Sequence, residues 1–256
     1  METRSRRARN FAARETLFLR AAEKQICDAG LLSLQMAKVA KDCQYATGTL
    51  YQHFKSKEDL LLALCADQTL QRAELFHRVE SWQAPSRLRM MALTMADALL
   101  IQHHPDHFRL AQYCFTEVVW GAASQERRDA LLEVHRPMAE LVSGVVQQGR
   151  DDGDLGQVPL PNLHVGLGQL ALHVGFSNLV HAHGTTEYFQ IPNPERLCLQ
   201  HAALHLNALG WQPLLDAFDL TALQAQLDHI CTTLFGDLCP DQDGQSDAIE
   251  KEDQSR

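Results

Sequence analysis

Residues 48–57 read GTLYQHFKSK, and this stretch limits what the chain can fold into more than any other. Leu50 and Phe54 stand four residues apart, which on a helix puts them on one face and asks for a buried neighbour. Thr49, Tyr51, Gln52 and His53 share the same turn or so and all carry hydrogen-bonding groups. One face packs and the other is dressed to touch something polar, with Lys55 and Lys57 following at once. A helix that enters a DNA groove needs that combination, because phosphate contacts position a protein and base edges then specify the site.

What precedes the stretch reads as two more helices. From residue 12 to 29 the apolar positions Phe18, Leu19, Ala22 and Ile26 recur with helical spacing, and Gly30 is placed to stop the helix. Met36, Val39 and Ala40 mark a short second helix ending near Cys43. The turn Gln44-Tyr45 leads to a third that begins near Ala46 or Thr47 and runs to His53. Two short helices joined by a tight turn, the second with a polar face, is the helix-turn-helix plan. Residues 1–11 carry Arg4, Arg6, Arg7 and Arg9 without an apolar pattern, and are expected to form a flexible basic arm that follows phosphates or enters the minor groove.

Taken whole, net charge opposes this reading, because the chain of 256 residues carries −9. Residues 1–64, however, hold eleven Lys or Arg against seven Asp or Glu, and the remainder holds twelve against twenty-five. A basic head on an acidic body is the electrostatic footprint of a DNA reader whose other faces avoid nucleic acid.

The head resembles a known family. The pattern Ala21-Ala22, Gly30, Val39-Ala40, then Gly48-Thr49-Leu50-Tyr51-x-His53-Phe54-x-Ser56-Lys57-Glu58-x-Leu60 closely resembles the DNA-binding head of the tetracycline-repressor (TetR) family of transcriptional regulators, over about residues 12–64. The resemblance implies that Thr47, Gly48 and Gln52 face base edges, that Tyr51, His53 and Lys57 contact phosphates, and that Thr49 does either. The sequence departs from the pattern in places. Gln44 stands where the family usually has Gly in the interhelical turn, and Ala46 where it often has Ser. Leu34 or Gln35 stands where a Thr or Ser caps the second helix, with Ser33 a substitute cap, and Gln25 occupies an apolar position of the first helix.

Beyond the head, Ser56-Lys57-Glu58-Asp59 opens a long helix by reciprocal capping, running to about Val79. A helix with Leu88, Met91, Leu93, Met95 and Leu99 follows until His103-His104-Pro105. Residues 106 to about 120 are apolar on several sides and read as one central helix. Residues 124 to about 148 are amphipathic, with Pro137 expected to kink or break them. Helices follow over 162–183 and 193–209, and Asp219 or Thr221 caps a last one to Phe235. Gly166, Gly168 and Gly175 inside one apolar helix imply that another element approaches closely. No repeat and no alternating strand pattern appears. The expectation is an all-α fold: arm 1–11, helix-turn-helix domain 12–64, a larger helical-bundle body 65–236 for effector binding and dimerisation, and an acidic disordered tail 237–256.

Other functions find little support. Seven scattered cysteines without a Cys-x-x-Cys pair fit reduced thiols. No apolar run approaches the roughly 20 residues that span a bilayer, and the N-terminus lacks the apolar core of a secretory signal, so a cytoplasmic protein without membrane contact is expected. Among the thirteen histidines, His181-x-His183 and His201-x-x-x-His205 have ligand-like spacing, and Glu74-x-x-His77 resembles half of a di-iron motif whose second copy is missing. Neither metal nor cofactor is expected, and no nucleophile with its base emerges, so the chain does not read as an enzyme.

The resemblance implies a homodimer built through the helices at 162–183 and 193–209. A single small head would also bind too weakly, whereas two heads one helical turn apart read a palindrome. Met95, Phe108, Tyr113, Phe115, Trp120 and Phe176 are candidates for lining an effector pocket, with ordinary core packing the plainer explanation for each. The reading is a ligand-responsive regulator, a repressor released from a palindromic operator by a small, largely apolar effector. Its rivals are a constitutive or activating DNA-binding protein without a ligand, and a helical metal protein or enzyme that carries a similar head.

Overall fold

The computed structural model describes residues 2–182 and 184–239, and among them every regular element is helical. The α-helices are α1 (Glu2–Ala29), α2 (Met36–Asp42), α3 (Thr47–Tyr51), α4 (Lys57–Ser81), α5 (Ser86–His103), α6 (Pro105–Cys114), α7 (Glu117–Ala122), α8 (Gln125–Asp151), α9 (Asn162–His181), α10 (Thr185–Tyr188), α11 (Pro194–Ala208) and α12 (Leu220–Leu234), with a 3-10 turn at Leu31–Ser33. The fold is all-α, a helix-turn-helix head followed by a larger helical body. It divides into two compact units. The first takes the described residues up to Glu74 together with His104–Glu140; the second takes Leu75–His103 and the described residues from Leu141 onward.

The first unit packs around the helix spacing seen in α1. Phe18, Leu19, Ala22 and Ile26 are all buried, and they share a core with Met36, Val39 and Ala40 of α2, Leu50 of α3, Phe54, and Leu60 to Leu64 of α4. Leu110 and Cys114 of α6, Val119 of α7 and Leu131 of α8 belong to the same core. α1 with only the two short helices α2 and α3 beside it leaves apolar surface uncovered. Segments that the sequence reading assigns to the body therefore complete the core of the head.

Its turns show how the departures from the family pattern are accommodated. Gly30, at φ 87°, ends α1 with its N–H on the Ile26 carbonyl at 2.8 Å. Gln25 is buried, and its Oε1 accepts the backbone N–H of Gln35, the residue before α2, at 2.7 Å. That is the bond a capping-box side chain would make, supplied here from α1. Ser33 is not the substitute cap, since its hydroxyl donates to the Gly30 carbonyl. Gln44 sits at φ 61°, with its N–H on the Lys41 carbonyl and the Tyr45 N–H on the Ala40 carbonyl, both at 2.9 Å. The latter is the six-to-one bond of a Schellman helix end, where glycine is usual.

α1 begins at Glu2, so the described arginines of the expected arm continue a helix. Arg, the commonest residue of that stretch, is a good helix former. The single helix expected over 106–120 is instead α6 and α7. The Thr116 hydroxyl donates to the Tyr113 carbonyl at 2.7 Å, and Thr116 itself is extended at ψ 152°, which ends one helix and starts the next. Pro137 lies inside α8, which continues through it.

In the second unit α5, α9 and α11 pack together. Arg87, buried in the first turn of α5, donates to the carbonyls of Trp211 (2.9 Å) and Ala203 (3.3 Å) and to Asn207 Oδ1 (2.9 Å). A guanidinium at the C-terminal end of α11 answers the partial negative charge there. Trp211 is fully buried; its indole N–H donates to Ser86 Oγ at 2.8 Å, and a Cβ on Gly149 would lie only 2.9 Å from that nitrogen. On α9, a Cβ at Gly166 would collide with Val142 and one at Gly168 with the His205 ring, whereas Gly175 faces open space. Close approach therefore explains two of the three glycines. Asp219 caps α12 as expected, accepting the N–H groups of Thr221 and Ala222 at 3.0 Å.

Two expectations for the C-terminal region change. Cys231 and Cys239 lie paired, with Cα atoms 6.1 Å apart, whereas the other five cysteines are free thiols. The turn after α12 brings the two together, with the Cys239 N–H on the Phe235 carbonyl at 3.0 Å. The described start of the expected acidic tail is held: Arg78 forks onto the Asp237 carboxylate at 2.5 and 3.0 Å, and His103 Nε2 lies 2.6 Å from the Leu238 carbonyl. Residues 240–256 of that tail lie outside the described residues.

Candidate nucleic-acid interface

α3 is short because little holds it except its apolar side. Ala46 precedes it without a side-chain cap, and the helix is finished by the N–H groups of His53 and Phe54, both on the Leu50 carbonyl. Leu50 and Phe54 are wholly buried and fix the rotation of the helix. Gly48, Tyr51 and Gln52 are thereby left exposed, Thr47 and Thr49 half-buried, and Lys57 half-buried at the start of α4. A Cβ at Gly48 would meet nothing within 4 Å, so nothing inside the protein demands glycine there.

His53 is a correction. Its side chain has no exposed surface; the ring stacks on Phe11 at 3.7 Å, meets Phe18 edge-on at 5.3 Å, and its Nδ1 is 3.5 Å from Glu15. Burial pushes its pKa below the ordinary histidine value, with Glu15 pulling the other way. The ring does not lie on the outward face with Tyr51 and Gln52. The signal was in the sequence, because His53 is three residues after Leu50 and so falls on the packed face.

Exposed cations stand on the elements before and after α3. Lys55 follows α3, Arg6, Arg7 and Arg9 stand on the first turns of α1, and Lys38 and Lys41 are exposed on α2. The last two escaped sequence reading, although their spacing of three within a short helix marks them as one surface. Such a face can place phosphates at its rim and offer hydroxyl, amide and phenol groups to base edges.

The six aromatic and Met candidates for an effector pocket are divided between the two units. Phe108, Tyr113, Phe115 and Trp120 lie in the first unit and Met95 and Phe176 in the second. Phe115 stacks on Trp120 at 5.3 Å and is itself exposed; Tyr113 and Trp120 pack on the first unit's core; Phe108 and Met95 are buried; Phe176 tilts against His201 at 5.2 Å. The histidine pairs also separate. His205 is half-buried against Gly168 while His201 is exposed, and His77 is exposed beside Glu80. His183 lies outside the described residues. Among the described residues no group of three or more His, Cys, Asp or Glu is arranged to hold a metal, and no helix is long and apolar enough to cross a membrane.

Comparison with known proteins agrees with this head. Residues 18–64 match the family model described as bacterial regulatory proteins, tetR family. A fatty acid metabolism regulator protein of Bacillus subtilis is 26% identical over 140 residues, spanning 53% of this chain and 67% of its own length. Among solved structures, a TetR-family regulatory protein from Rhodococcus RHA1 superposes with a TM-score of 0.58 at 17% identity, covering 77% of this chain and 97% of its own. The fatty acid degradation regulator FadR from Bacillus halodurans gives 0.57 at 17% identity, with the same coverage. A TetR transcription regulator from Haloarcula marismortui gives 0.60 at 16% identity, over 77% and 98%.

Proposed function

Because the chain belongs to the TetR family of transcriptional regulators, we propose that it is a cytoplasmic homodimeric repressor, released from a palindromic operator by a small, largely apolar effector. The observation that carries this reading is the outward face of α3, polar and unobstructed, on a helix pinned from behind by Leu50 and Phe54. In this reading Thr47, Gly48, Thr49 and Gln52 meet base edges, with Gly48 letting the backbone come close. Tyr51 and Lys57 meet phosphates, joined by Lys38, Lys41 and the arginines at the start of α1. His53 supports the face from inside. In this division of labour residues 12–64, with the arginines before them, read DNA, and 65–236, apart from the segments that complete the head's core, bind the effector and the second subunit.

Dimerisation through α9 and α11 is favoured by Leu163, Leu167 and Leu170, an apolar stripe left exposed along one side of α9. For the effector, relatives named for fatty acid metabolism and degradation favour a molecule with an acyl chain. Release is a population shift: the effector binds better to a state in which α4 is tilted and the two heads no longer fit successive major grooves, and only its differential affinity for the two states drives the change.

Selection of bound sequences from a random DNA pool tests the first half. A palindrome with half-sites about one helical turn apart is expected, and a non-palindromic or absent motif sinks the dimeric reader. Adding fatty acids and their thioesters to the complex tests the second, with release by a long chain and none by a short one expected.

A further inference from the structure

α3 ends at Tyr51, and the chain passes through residues 52–56 into α4. What holds that exit comes from elsewhere in the first unit. Arg127, in the first turn of α8, donates to the His53 carbonyl at 3.0 Å and pairs with Glu15 of α1 at 2.9 Å. Its guanidinium also lies over the Phe54 ring, 5.0 Å from the centroid. Just before α8, the Ser124 N–H donates to Asp59 Oδ1 at 2.7 Å, and the other oxygen of Asp59 accepts the Lys55 N–H at 3.1 Å. Asp59 is buried, so both of its oxygens are spent on this junction. An exposed Lys55–Glu126 pair at 3.6 Å adds little.

We propose that Arg127 is a positioning residue for DNA binding: it locks the exit of α3 to α1, and makes the corner at residues 124–127 the point through which the start of α8 controls the DNA-reading face. The inference rests on α3 being that face. The geometry suits arginine specifically. A planar guanidinium can serve a carboxylate, a carbonyl and an aromatic face together, which the compact ammonium of lysine cannot. Arg127 Nη2 makes both contacts while the guanidinium lies against Phe54, so its charge is committed to Glu15 rather than to a phosphate. A small shift of the first turn of α8 would break several of these contacts at once, so the latch is either made or released rather than gradually stretched.

The test uses the full-length protein and the operator found by selection. Arg127→Gln is expected to weaken specific binding at least tenfold while leaving the dependence of log K on log salt unchanged, because no phosphate contact is removed. In the free protein, amide exchange at residues 52–55 should quicken. Glu15→Gln should do the same more weakly, and the double variant should be no worse than Arg127→Gln alone. Arg127→Lys should recover only part of the loss. Unchanged affinity and exchange in a folded Arg127→Gln protein overturn the proposal, as does a salt slope shallower by about one, which would make Arg127 a phosphate ligand. Should Arg127→Gln fail to fold, Glu15→Gln carries the same test. A wild-type protein that selects no DNA overturns the reading of α3 itself, whereas wild-type binding that Arg127→Gln matches overturns only the latch.

Discussion

The two units satisfy their buried polar groups in different ways. In the first, scattered single ties do the work: Gln25 holds the entry to α2, Asp59 the junction of α3 with α4, and Glu23 of α1 takes Gln68 of α4 and His107 of α6 at 3.1 and 3.3 Å. In the second, separate ties such as Gln169 to the Ala202 carbonyl are joined by a hub that gathers distant segments, with Arg87 and Ser86 of α5 reaching the end of α11 and Trp211, more than 110 residues away. Part of the contrast follows from α2 and α3, which are so short that most of their backbone groups lie at helix ends and need partners from elsewhere. A unit of many small ties can yield locally. A unit with one hub should yield as a whole.

The hub is where the contrast breaks most readily. Trp211→Ala removes the largest wholly buried side chain and leaves Ser86 without its donor, and should cost roughly 4 kcal/mol in denaturant unfolding, with protection from exchange lost together across α5, α9 and α11. Loss confined to the residues around 211 would show that the second unit has no hub. Arg87→Met should follow at about 3 kcal/mol, because it strips charge-assisted bonds from the carbonyls at the end of α11.

A smaller effect probes the ties of the first unit. Gln25→Leu restores the apolar residue that the family pattern has there, yet should destabilise by about 1–2 kcal/mol, since it leaves the Gln35 N–H without its acceptor. A gain in stability would mean the tie contributes nothing and the apolar pattern wins.

That substitution also marks what was legible in the sequence. Gln25 and the missing cap at Leu34 or Gln35 both stood out as departures, ten residues apart, but only the fold shows that one answers the other. Local signals read well: the apolar face of α1, the stop at Gly30, Ser56 starting α4 and Asp219 capping α12 all follow from side chains acting within a turn of themselves. Orientation relative to a third element did not. The outward face of α3 was legible for Gly48, Tyr51 and Gln52; for His53 the spacing from Leu50 pointed inward, but its partners Phe11 and Phe18 on α1 did not announce themselves. Arg87 and Arg127 were silent, because nothing near either in sequence announces a partner 70 to 125 residues away.

Acid should affect the units unequally. Burial lowers the pKa of His53, His107 and His135 in the first unit and of His205 in the second. Around His53 stand Glu15, Arg14 and Arg127; around His107 stand His104, Glu23 and Asp106. With folded-state values below the ordinary 6.5, the unfolded chain takes up protons first as pH falls. The stability that neutral burial provides is complete above that value and is lost as pH drops through the folded-state values. Amide exchange at pH 7.5 and 5.5 should therefore show the first unit losing more protection than the second. Equal loss would mean that Glu15 and Glu23 compensate their histidines fully.

The smallest expected effect lies at the turn of the helix-turn-helix, where the sequence most plainly departs from its family. Gln44 adopts φ 61°, a left-handed conformation that crowds Cβ against the backbone and costs a non-glycine residue about 1 kcal/mol. Gln44→Gly relieves that crowding, but it also frees the unfolded chain, which returns a few tenths of a kcal/mol to the other side. The net gain should be about 0.5 kcal/mol, with Gln44→Asn in between and Gln44→Ala near the parent, since alanine has the same Cβ. Thermal unfolding of the four proteins orders them. If glycine is no more stable than alanine, the strain at this turn is already relieved by the Tyr45 to Ala40 bond, and the first unit's ties extend to a position where the family relies on backbone freedom alone.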